Sequence, residues 1–211
     1  MIKIIISKDV STKFLQEIII NLKVNGVQFK LYEIEPNEKS YSKRFEEISN
    51  FDRNSIIVFL GHGQSNQLYG GEALDSYPKQ PFIKLNQMKI FEEQYLFLLA
   101  CDSADLIKKS FKQSNYKKSI GFGELPTSLE EIEVDKKLSS VGISEQTIED
   151  FKNEIVYTVS KALTLYYNDF DKLSDYLILL LDQRINDAVL NKGNRNLADL
   201  LFMMRYEMVS Y

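Results

Sequence analysis

Short hydrophobic runs alternate with amphipathic segments over the first 125 residues of the chain. Residues 55–60 and 95–100 are almost entirely apolar, which is typical of strands buried on both faces of a parallel sheet. Between such runs, apolar residues recur at helical spacing. The predicted strands are 1–7, 27–34, 54–60, 94–100 and 118–124, and the predicted helices are 12–24 and 104–111. This order predicts an open α/β sheet with mainly parallel strands.

The pattern changes in the last third of the chain. From about residue 144, apolar positions follow three amphipathic helical stretches, 148–166, 173–189 and 197–209. We therefore predict two parts, an α/β domain over residues 1–140 and a helical extension over residues 141–211 that packs on it. Residues 64–87 are rich in glycine, proline and polar side chains, which predicts a long loop or a small hairpin.

The composition is that of an ordinary globular protein, because 44% of the 211 residues are hydrophobic and 27% are charged. The formal net charge of −4 argues against a protein that binds nucleic acid by neutralising phosphates. Without a signal peptide or a bilayer-length apolar stretch, a cytoplasmic protein with no membrane partner is expected. One cysteine and one histidine exclude an internal disulfide and a cysteine-based zinc cluster, and no metal or other cofactor is expected.

The single histidine and the single cysteine occupy equivalent places in the pattern. His62 follows the predicted strand 54–60, and Cys101 follows the predicted strand 94–100. Because parallel strands end at the same edge of a sheet, the two side chains should lie close together where open α/β sheets bind ligands. A thiol beside an imidazole forms a nucleophile and a base, and the imidazole and the following helix would stabilise the thiolate. The N–H groups of Gly63 and Cys101 would then face the developing oxyanion.

Two motifs around this pair resemble those of caspase-fold (clan CD) cysteine peptidases. The first motif reads Val58-Phe59-Leu60-Gly61-His62-Gly63, and the second reads Leu98-Leu99-Ala100-Cys101-Asp102-Ser103-Ala104. The nearest likeness is to the CHAT domain, although Leu99 stands where CHAT domains favour serine. Separases, metacaspases and gingipains share this plan. The segment 119–126 also resembles the strand that follows the catalytic cysteine in CHAT domains, so the resemblance covers residues 2–127.

The resemblance implies a three-layer caspase-like α/β sandwich with a helical C-terminal extension. It also implies a cysteine endopeptidase that cleaves a protein or peptide substrate with a Cys101–His62 dyad. His62 would protonate the leaving amine, the N–H of Gly63 would help to form the oxyanion hole, and no third catalytic residue is expected. Small peptidases of this group are often effectors in bacterial antiviral defence or regulated cell death. Because no helical module precedes the first strand, a regulatory protein partner is expected to act in trans.

Three acidic residues are candidate substrate-binding residues, namely Asp9, Asp102 and Glu124. Members of this fold often place the residue that recognises P1, the substrate residue before the scissile bond, after the first strand or near the strand that follows the cysteine. Asp9 or Glu124 would favour arginine or lysine at P1, whereas Lys8 would favour an acidic residue. Each carboxylate also has a structural interpretation: Asp9 as a helix cap, Glu124 as a solvated strand end, and Asp102 or Ser103 as the cap of the next helix.

Two other interpretations stay open at this point. A catalytically silent caspase-fold interaction module would use the helical extension as a partner surface, although decay usually removes the cysteine or the histidine first. A receiver-like or nucleotide-binding α/β protein would keep both residues for structural reasons, and an inaccessible thiol would support it. The acidic segment 130–135 is expected to be exposed, as a loop beside the site or as a partner contact.

Overall fold

The computed structural model describes residues 1–134 and 142–211. Its strands are, in chain order, β1 (Ile2–Ser7), β2 (Phe29–Ile34), β3 (Ile56–Leu60), β4 (Gly63–Gln64), β5 (Gln67–Tyr69), β6 (Pro81–Lys84), β7 (Tyr95–Leu99), β8 (Lys118–Gly121) and β9 (Val209–Ser210). Six of them form one sheet in the order β2-β1-β3-β7-β8-β9, which is parallel except for the antiparallel edge strand β9. The other three form a small antiparallel sheet in the order β4-β5-β6.

Helices cover both faces of the large sheet. They are α1 (Gln16–Val24), α2 (Glu38–Ser49), α3 (Ser103–Ser110), α4 (Leu129–Val134), α5 (Glu145–Tyr166), α6 (Phe170–Leu190) and α7 (Arg195–Glu207), with 3-10 helices at Lys13–Leu15 and Leu85–Ile90. The predicted three-layer α/β sandwich with a mainly parallel sheet and C-terminal helices is confirmed. None of the helices that the structure describes is long and apolar enough to cross a bilayer.

The alternation of side chains along β1 divides the core into two halves. Ile4 and Ile6 face one side, where they share a cluster with α1 and with the three C-terminal helices. Ile5 faces the other side, where it joins a cluster built from α2, α3 and the small antiparallel sheet. The central strands β3 and β7 are continuously apolar, and β1 is apolar except for Lys3 and Ser7, as expected for parallel strands buried on both faces.

The C-terminal helices form one layer of the sandwich. They pack against α1 and the first face of the sheet within a single apolar cluster, and β9 then pairs with β8 to complete the sheet edge. The three predicted helices are confirmed, with bounds shifted by a few residues. The predicted division at residue 140 lies outside the described residues.

The order of the strands creates a switch point between β1 and β3. The connection from β1 to β2 passes through α1 on one face, and the connection from β3 to β7 passes through the small antiparallel sheet on the other face. The loops that leave the carboxyl ends of β1 and β3 therefore turn away from each other and leave a crevice. Open α/β sheets bind their ligands in such crevices.

Candidate functional site

His62 lies in a tight turn that glycines make possible. β3 ends at Leu60, and the chain enters β4 at Gly63. A side chain at Gly61 would place its Cβ 2.7 Å from Ser7 Oγ, and one at Gly63 would place it 2.6 Å from the carbonyl oxygen of Cys101. Both distances are shorter than a Cβ contact allows, so only glycine fits on either side of His62. The turn is thereby pressed against the ends of β1 and β7.

Cys101 lies in the sharp turn between β7 and α3. The next residue, Asp102, has a left-handed backbone with φ 53°, an unusual conformation for a residue other than glycine. The hydroxyl of Ser103 donates to the carbonyl of Leu98 (2.7 Å) and accepts from the N–H of Phe122 (2.9 Å), which ties the turn to β7 and to the chain after β8. Asp102 occupies the N-cap position of α3, as predicted, but its side chain makes no capping bond, and the Ser103 hydroxyl is used by these neighbours.

One large cavity opens at this edge of the sheet, with a volume of about 1040 Å³. All of the site residues proposed from the sequence line it: Asp9, His62, Gly63, Cys101, Asp102 and Glu124. The chain segments that supply them follow β1, β3, β7 and β8, which are the four central strands of the sheet. The switch point therefore brings the two chemically reactive side chains and their acidic neighbours to one place.

The imidazole of His62 is bonded to residues that follow β1. Its Nε2 lies 2.7 Å from Ser11 Oγ and 3.3 Å from Asp9 Oδ1. The side chains of His62 and Asp9 are only 9% and 4% exposed. Burial alone would raise the pKa of Asp9, but hydrogen bonds with His62, Ser11 and Thr12 hold it well below its usual range. Asp9 is therefore an ionised carboxylate held against the imidazole.

The thiol of Cys101 is bonded to the segment that follows β8. Sγ donates to the carbonyl oxygen of Leu125 at 3.4 Å. Burial and, to a smaller extent, the nearby carboxylates of Glu131, Asp102 and Glu124 together raise the pKa of Cys101 to about 12. The expected stabilisation of the thiolate is therefore not found in this structure, where the thiol is protonated at neutral pH.

The backbone N–H of Gly63 is oriented away from the small sheet. The carbonyl of His62 accepts from the N–H of Tyr69 (3.0 Å), so Gly63 and Leu68 form a pair of the type that exchanges no hydrogen bonds. The N–H of Gly63 consequently points away from β5, while its Cα lies against Cys101. The pairing of β4 with β5 therefore does not use the N–H of Gly63, the group that the sequence predicts as an oxyanion donor.

The wall of the cavity is strongly acidic. Among the residues that the structure describes, the lining contributes one ammonium group, Lys79, and six carboxylates, from Asp9, Glu72, Asp102, Glu124, Glu130 and Glu131. The ammonium group is already paired with Glu72, at 3.6 Å. Two large apolar residues at the cavity, Val10 and Leu74, are about four-fifths exposed, at 78% and 81%. The cavity therefore combines negative charge with exposed apolar side chains.

Two short segments bound the acidic side of the cavity. The carboxylate of Glu131 on α4 accepts from the N–H of Thr127 (2.6 Å) and from its hydroxyl (3.2 Å). The carboxylate of Glu207, at the end of α7, accepts from the N–H of Glu124 (3.1 Å). Helices α4 and α7 thus support the segment after β8, and this segment carries Leu125 over the thiol.

Several lining residues were not identified from the sequence as part of the site. Ser11 directly precedes the predicted helix 12–24, and Glu72 and Lys79 lie in the segment predicted as a long loop or a small hairpin. The acidic segment 130–135 was predicted as an exposed loop beside the site or as a partner contact. The loop prediction is wrong, because residues 130–134 belong to α4 and Ile132 is buried in the core. Glu130 and Glu131 line the cavity, and Asp135 lies outside the described residues. For the three glutamates the signal that was available is their negative charge, whereas Ser11 and Lys79 carry no such signal.

Comparison with known proteins identifies no relative of the chain. Searches with models of protein families, among curated proteins and among solved structures gave no match to the chain. Within residues 1–134 and 142–211, no three histidine, cysteine, aspartate or glutamate side chains come together in a way that could hold a metal ion.

Proposed function

We propose that the protein is a cysteine endopeptidase in which Cys101 is the nucleophile and His62 is the general base and acid. The observation that carries this proposal is the placement of the chain's single thiol and single imidazole. They follow the adjacent parallel strands β7 and β3 and line one open cavity at the switch point of the sheet. The resemblance of the two motifs to caspase-fold peptidases of the CHAT group supports the same assignment.

The proposed reaction has two steps. In the first, the thiol of Cys101 gives its proton to His62, and Sγ attacks the scissile carbonyl carbon. The carbonyl oxygen becomes an oxyanion that accepts a hydrogen bond from the N–H of Gly63. The C–N bond breaks as His62 returns the proton to the leaving amine, which leaves a thioester. In the second step, His62 takes a proton from water, the hydroxide attacks the thioester, and the carboxylic acid and the thiol are released.

The structure corresponds, in this proposal, to a resting state of the enzyme. The thiol is bonded to Leu125 and the imidazole to Ser11 and Asp9, so the pair has not yet formed its own contact. A substrate backbone in the cavity would compete for the N–H and carbonyl groups around Leu125 and bring the thiol to the imidazole. Catalytic contacts commonly tighten only when the substrate binds.

The acidic wall favours a basic substrate. A guanidinium or ammonium group at P1 would enter a cavity that carries six carboxylates, and charge-assisted bonds to Glu124, Glu130 or Glu131 would hold it. Asp102 adds to the same field, and its pKa is raised by burial and by the carboxylates of Asp105 and Glu207. The exposed Val10 and Leu74 would contact apolar residues that flank the basic one. We therefore propose cleavage after arginine or lysine.

The proposal places this peptidase in the cytoplasm, where a lone thiol stays reduced. In keeping with the CHAT-like motifs, we propose a role as a regulated effector in bacterial defence or cell death. A regulatory protein acting in trans would shift the segment that carries Leu125 and thereby release the thiol.

A second candidate function is a catalytically silent interaction module of the same fold. One observation favours it: the protonated thiol bonds to Leu125 and the imidazole bonds to Asp9, rather than the two bonding to each other. In that case the acidic cavity would bind a basic peptide without cleaving it.

Cleavage assays with matched variants separate the two candidates. We expect the wild type to cleave peptides after arginine or lysine and Cys101→Ala to lose this activity while it keeps the circular dichroism spectrum and melting temperature of the wild type. Peptide binding by both proteins, with no cleavage by either, would establish the silent module. Equal cleavage by both proteins would show that Cys101 is not the nucleophile.

A further inference from the structure

We infer that Asp9 is a positioning residue for His62, which orients the imidazole and stabilises its protonated form during the proposed reaction. The inference rests on the proposed function for its catalytic meaning. It adds a third side chain to a pair for which the sequence indicated a dyad. It also gives Asp9 a role different from the substrate recognition that its place after β1 suggested.

Asp9 is held in place by several donors. Its Oδ1 accepts from the N–H of Thr12 (2.9 Å) and from the hydroxyl of Ser11 (2.7 Å), and its Oδ2 accepts from the hydroxyl of Thr12 (2.7 Å). Three donors fix both oxygens, so the carboxylate presents Oδ1 to the imidazole in one orientation. A pre-organised anion of this kind is what a protonated imidazole needs as a partner.

The hydrogen-bond pattern also determines which nitrogen of the ring is available. The hydroxyl of Ser11 has one proton, which it donates to Asp9. The Nε2 of His62, 2.7 Å from the same hydroxyl oxygen, must then be the donor in that contact. A neutral ring protonated at Nε2 leaves the lone pair of Nδ1 as the base. Nε2 is thus bound to Ser11 and Asp9, and Nδ1 is the nitrogen that takes the proton of the thiol in the proposed reaction.

The strand order explains why this contact forms. Asp9 follows β1 and His62 follows β3, and these two strands are paired in parallel, with Ile6 opposite Leu60. Both residues then occupy the loops that diverge at the switch point. Burial of both side chains excludes water from the contact and strengthens the attraction between the carboxylate and a protonated ring.

The single histidine allows a test that does not require activity. We would follow the ring protons of His62 by NMR as a function of pH in the wild type, Asp9→Asn and Thr12→Val. In Asp9→Asn the charge is lost while an acceptor for the Thr12 N–H remains, so we expect the ring to lose its proton at a lower pH than in the wild type. Thr12→Val removes one support of the same turn without removing the charge, and its midpoint should match the wild type.

The other titratable groups around the cavity are unchanged in these variants: Glu72, Lys79, Cys101, Asp102, Glu124, Glu130 and Glu131. A midpoint in Asp9→Asn equal to that of the wild type would overturn the inference, and so would an equal fall in Thr12→Val, since it would show an effect of the turn alone. Melting curves of the three proteins establish that each is folded.

Kinetics then connect the contact to the reaction. We expect kcat of Asp9→Asn to fall about tenfold or more with little change in KM. Because the reaction starts from a neutral imidazole, we expect the acidic limb of its pH profile to move to lower pH. A rise in KM alone would assign Asp9 to substrate binding and overturn the positioning role. If the wild type has no peptidase activity but the NMR midpoint shifts as expected, the proposed function fails while the Asp9–His62 contact stands.

Discussion

The reactivity of the proposed nucleophile depends on a few atoms around Cys101. A carbonyl oxygen accepts from the thiol, and three carboxylates lie close enough to disfavour its anion. The imidazole that would remove the proton is bonded on its far side to Asp9 and Ser11. The resting thiol is thus held in its protonated form, and its conversion to a nucleophile requires a change in its contacts.

This state predicts slow alkylation with a steep dependence on pH. Because burial and negative neighbours raise the pKa of Cys101 to about 12, the thiolate fraction should increase through the whole accessible range. We expect labelling of the wild type by iodoacetamide, followed by intact mass, to accelerate about tenfold per pH unit from about pH 7 to about pH 10. A plateau below about pH 8 would contradict the protonated resting thiol.

The backbone around His62 predicts the effect of a single methyl group. Gly63→Ala would place a Cβ 2.6 Å from the carbonyl oxygen of Cys101 and 2.9 Å from the Cβ of Ala100. The turn must shift, so we expect a loss of about 1–3 kcal/mol in the free energy of unfolding and the loss of peptidase activity. Asn66→Ala, at an exposed position of the same hairpin that does not line the cavity, is the control and should keep both. Wild-type activity in Gly63→Ala would show that the reaction does not need the close approach of this turn to Cys101.

Access to Cys101 depends on three neighbouring parts of the chain, namely the segment after β8, α4 and the end of α7. The segment after β8 carries Leu125 over the thiol, and α4 holds that segment through the bonds of Glu131 to Thr127. The end of α7 supports it from the other side through Glu207. Elements from distant parts of the chain therefore control access to Cys101.

The role of α4 predicts a difference between two glutamates of the same helix. Glu131→Gln removes a carboxylate that raises the pKa of Cys101 and weakens the anchor of Thr127, so both effects should expose the thiol. We expect alkylation of Cys101 at fixed pH to become about threefold faster or more. Glu133→Gln changes the charge of the helix equally but at a residue that does not line the cavity, and its rate should equal that of the wild type. Equal rates in the two variants would remove α4 from the control of the thiol.

For the secondary-structure elements, the sequence predicted the long strands and helices well, and it predicted short strands and contacts between distant segments poorly. Apolar runs and helical spacing were sufficient for β1, β3, β7 and the three C-terminal helices. β4, β5 and β6 fell in a segment predicted only as a long loop or small hairpin, because such short strands contain too few residues for a period to emerge. The edge strand β9 was missed for the same reason.

The whole molecule holds the site through one continuous core. The C-terminal helices share a core with the sheet, and a buried ion pair joins two of them: Glu154 on α5 accepts two bonds from Arg184 on α6, at 2.6 and 2.8 Å. Lys192, just after α6, donates to the same carboxylate at 2.9 Å. Burial alone would raise the pKa of Glu154, but the two cations lower it below its usual value.

We predict that removal of the Glu154 carboxylate lowers the free energy of unfolding by an amount that depends on pH. A group whose pKa is lowered by folding stabilises the protein above its ordinary pKa and loses that contribution as the pH falls. We expect Glu154→Gln to lower the free energy of unfolding by about 2 kcal/mol at neutral pH, less than for a fully buried pair because both cations reach solvent. The difference from the wild type should narrow below about pH 4 in denaturant titrations. Glu149→Gln, at an exposed pair on the same helix, should change little at any pH.

The arrangement of the whole sheet also explains what sequence analysis could and could not provide for the site. His62 and Cys101 were identified because each follows an apolar run, and parallel strands end at one edge. The contact of Asp9 with His62 could not be predicted in the same way, because it requires that β1 and β3 be neighbours, and strand order is not encoded in local periodicity. The bond from the thiol to Leu125 likewise depends on the path of the chain after β8.

The central claim, that Cys101 and His62 form a peptidase site, is tested most directly by intact-mass labelling with peptidyl electrophiles that carry arginine, lysine or aspartate at P1. In the wild type we expect rapid modification of Cys101 by the arginine and lysine reagents, slow modification by the aspartate reagent, and loss of the rapid reaction in His62→Ala. Cys101→Ala should remain unlabelled. Labelling of the wild type and His62→Ala at the same slow rate by all three reagents would contradict the claim.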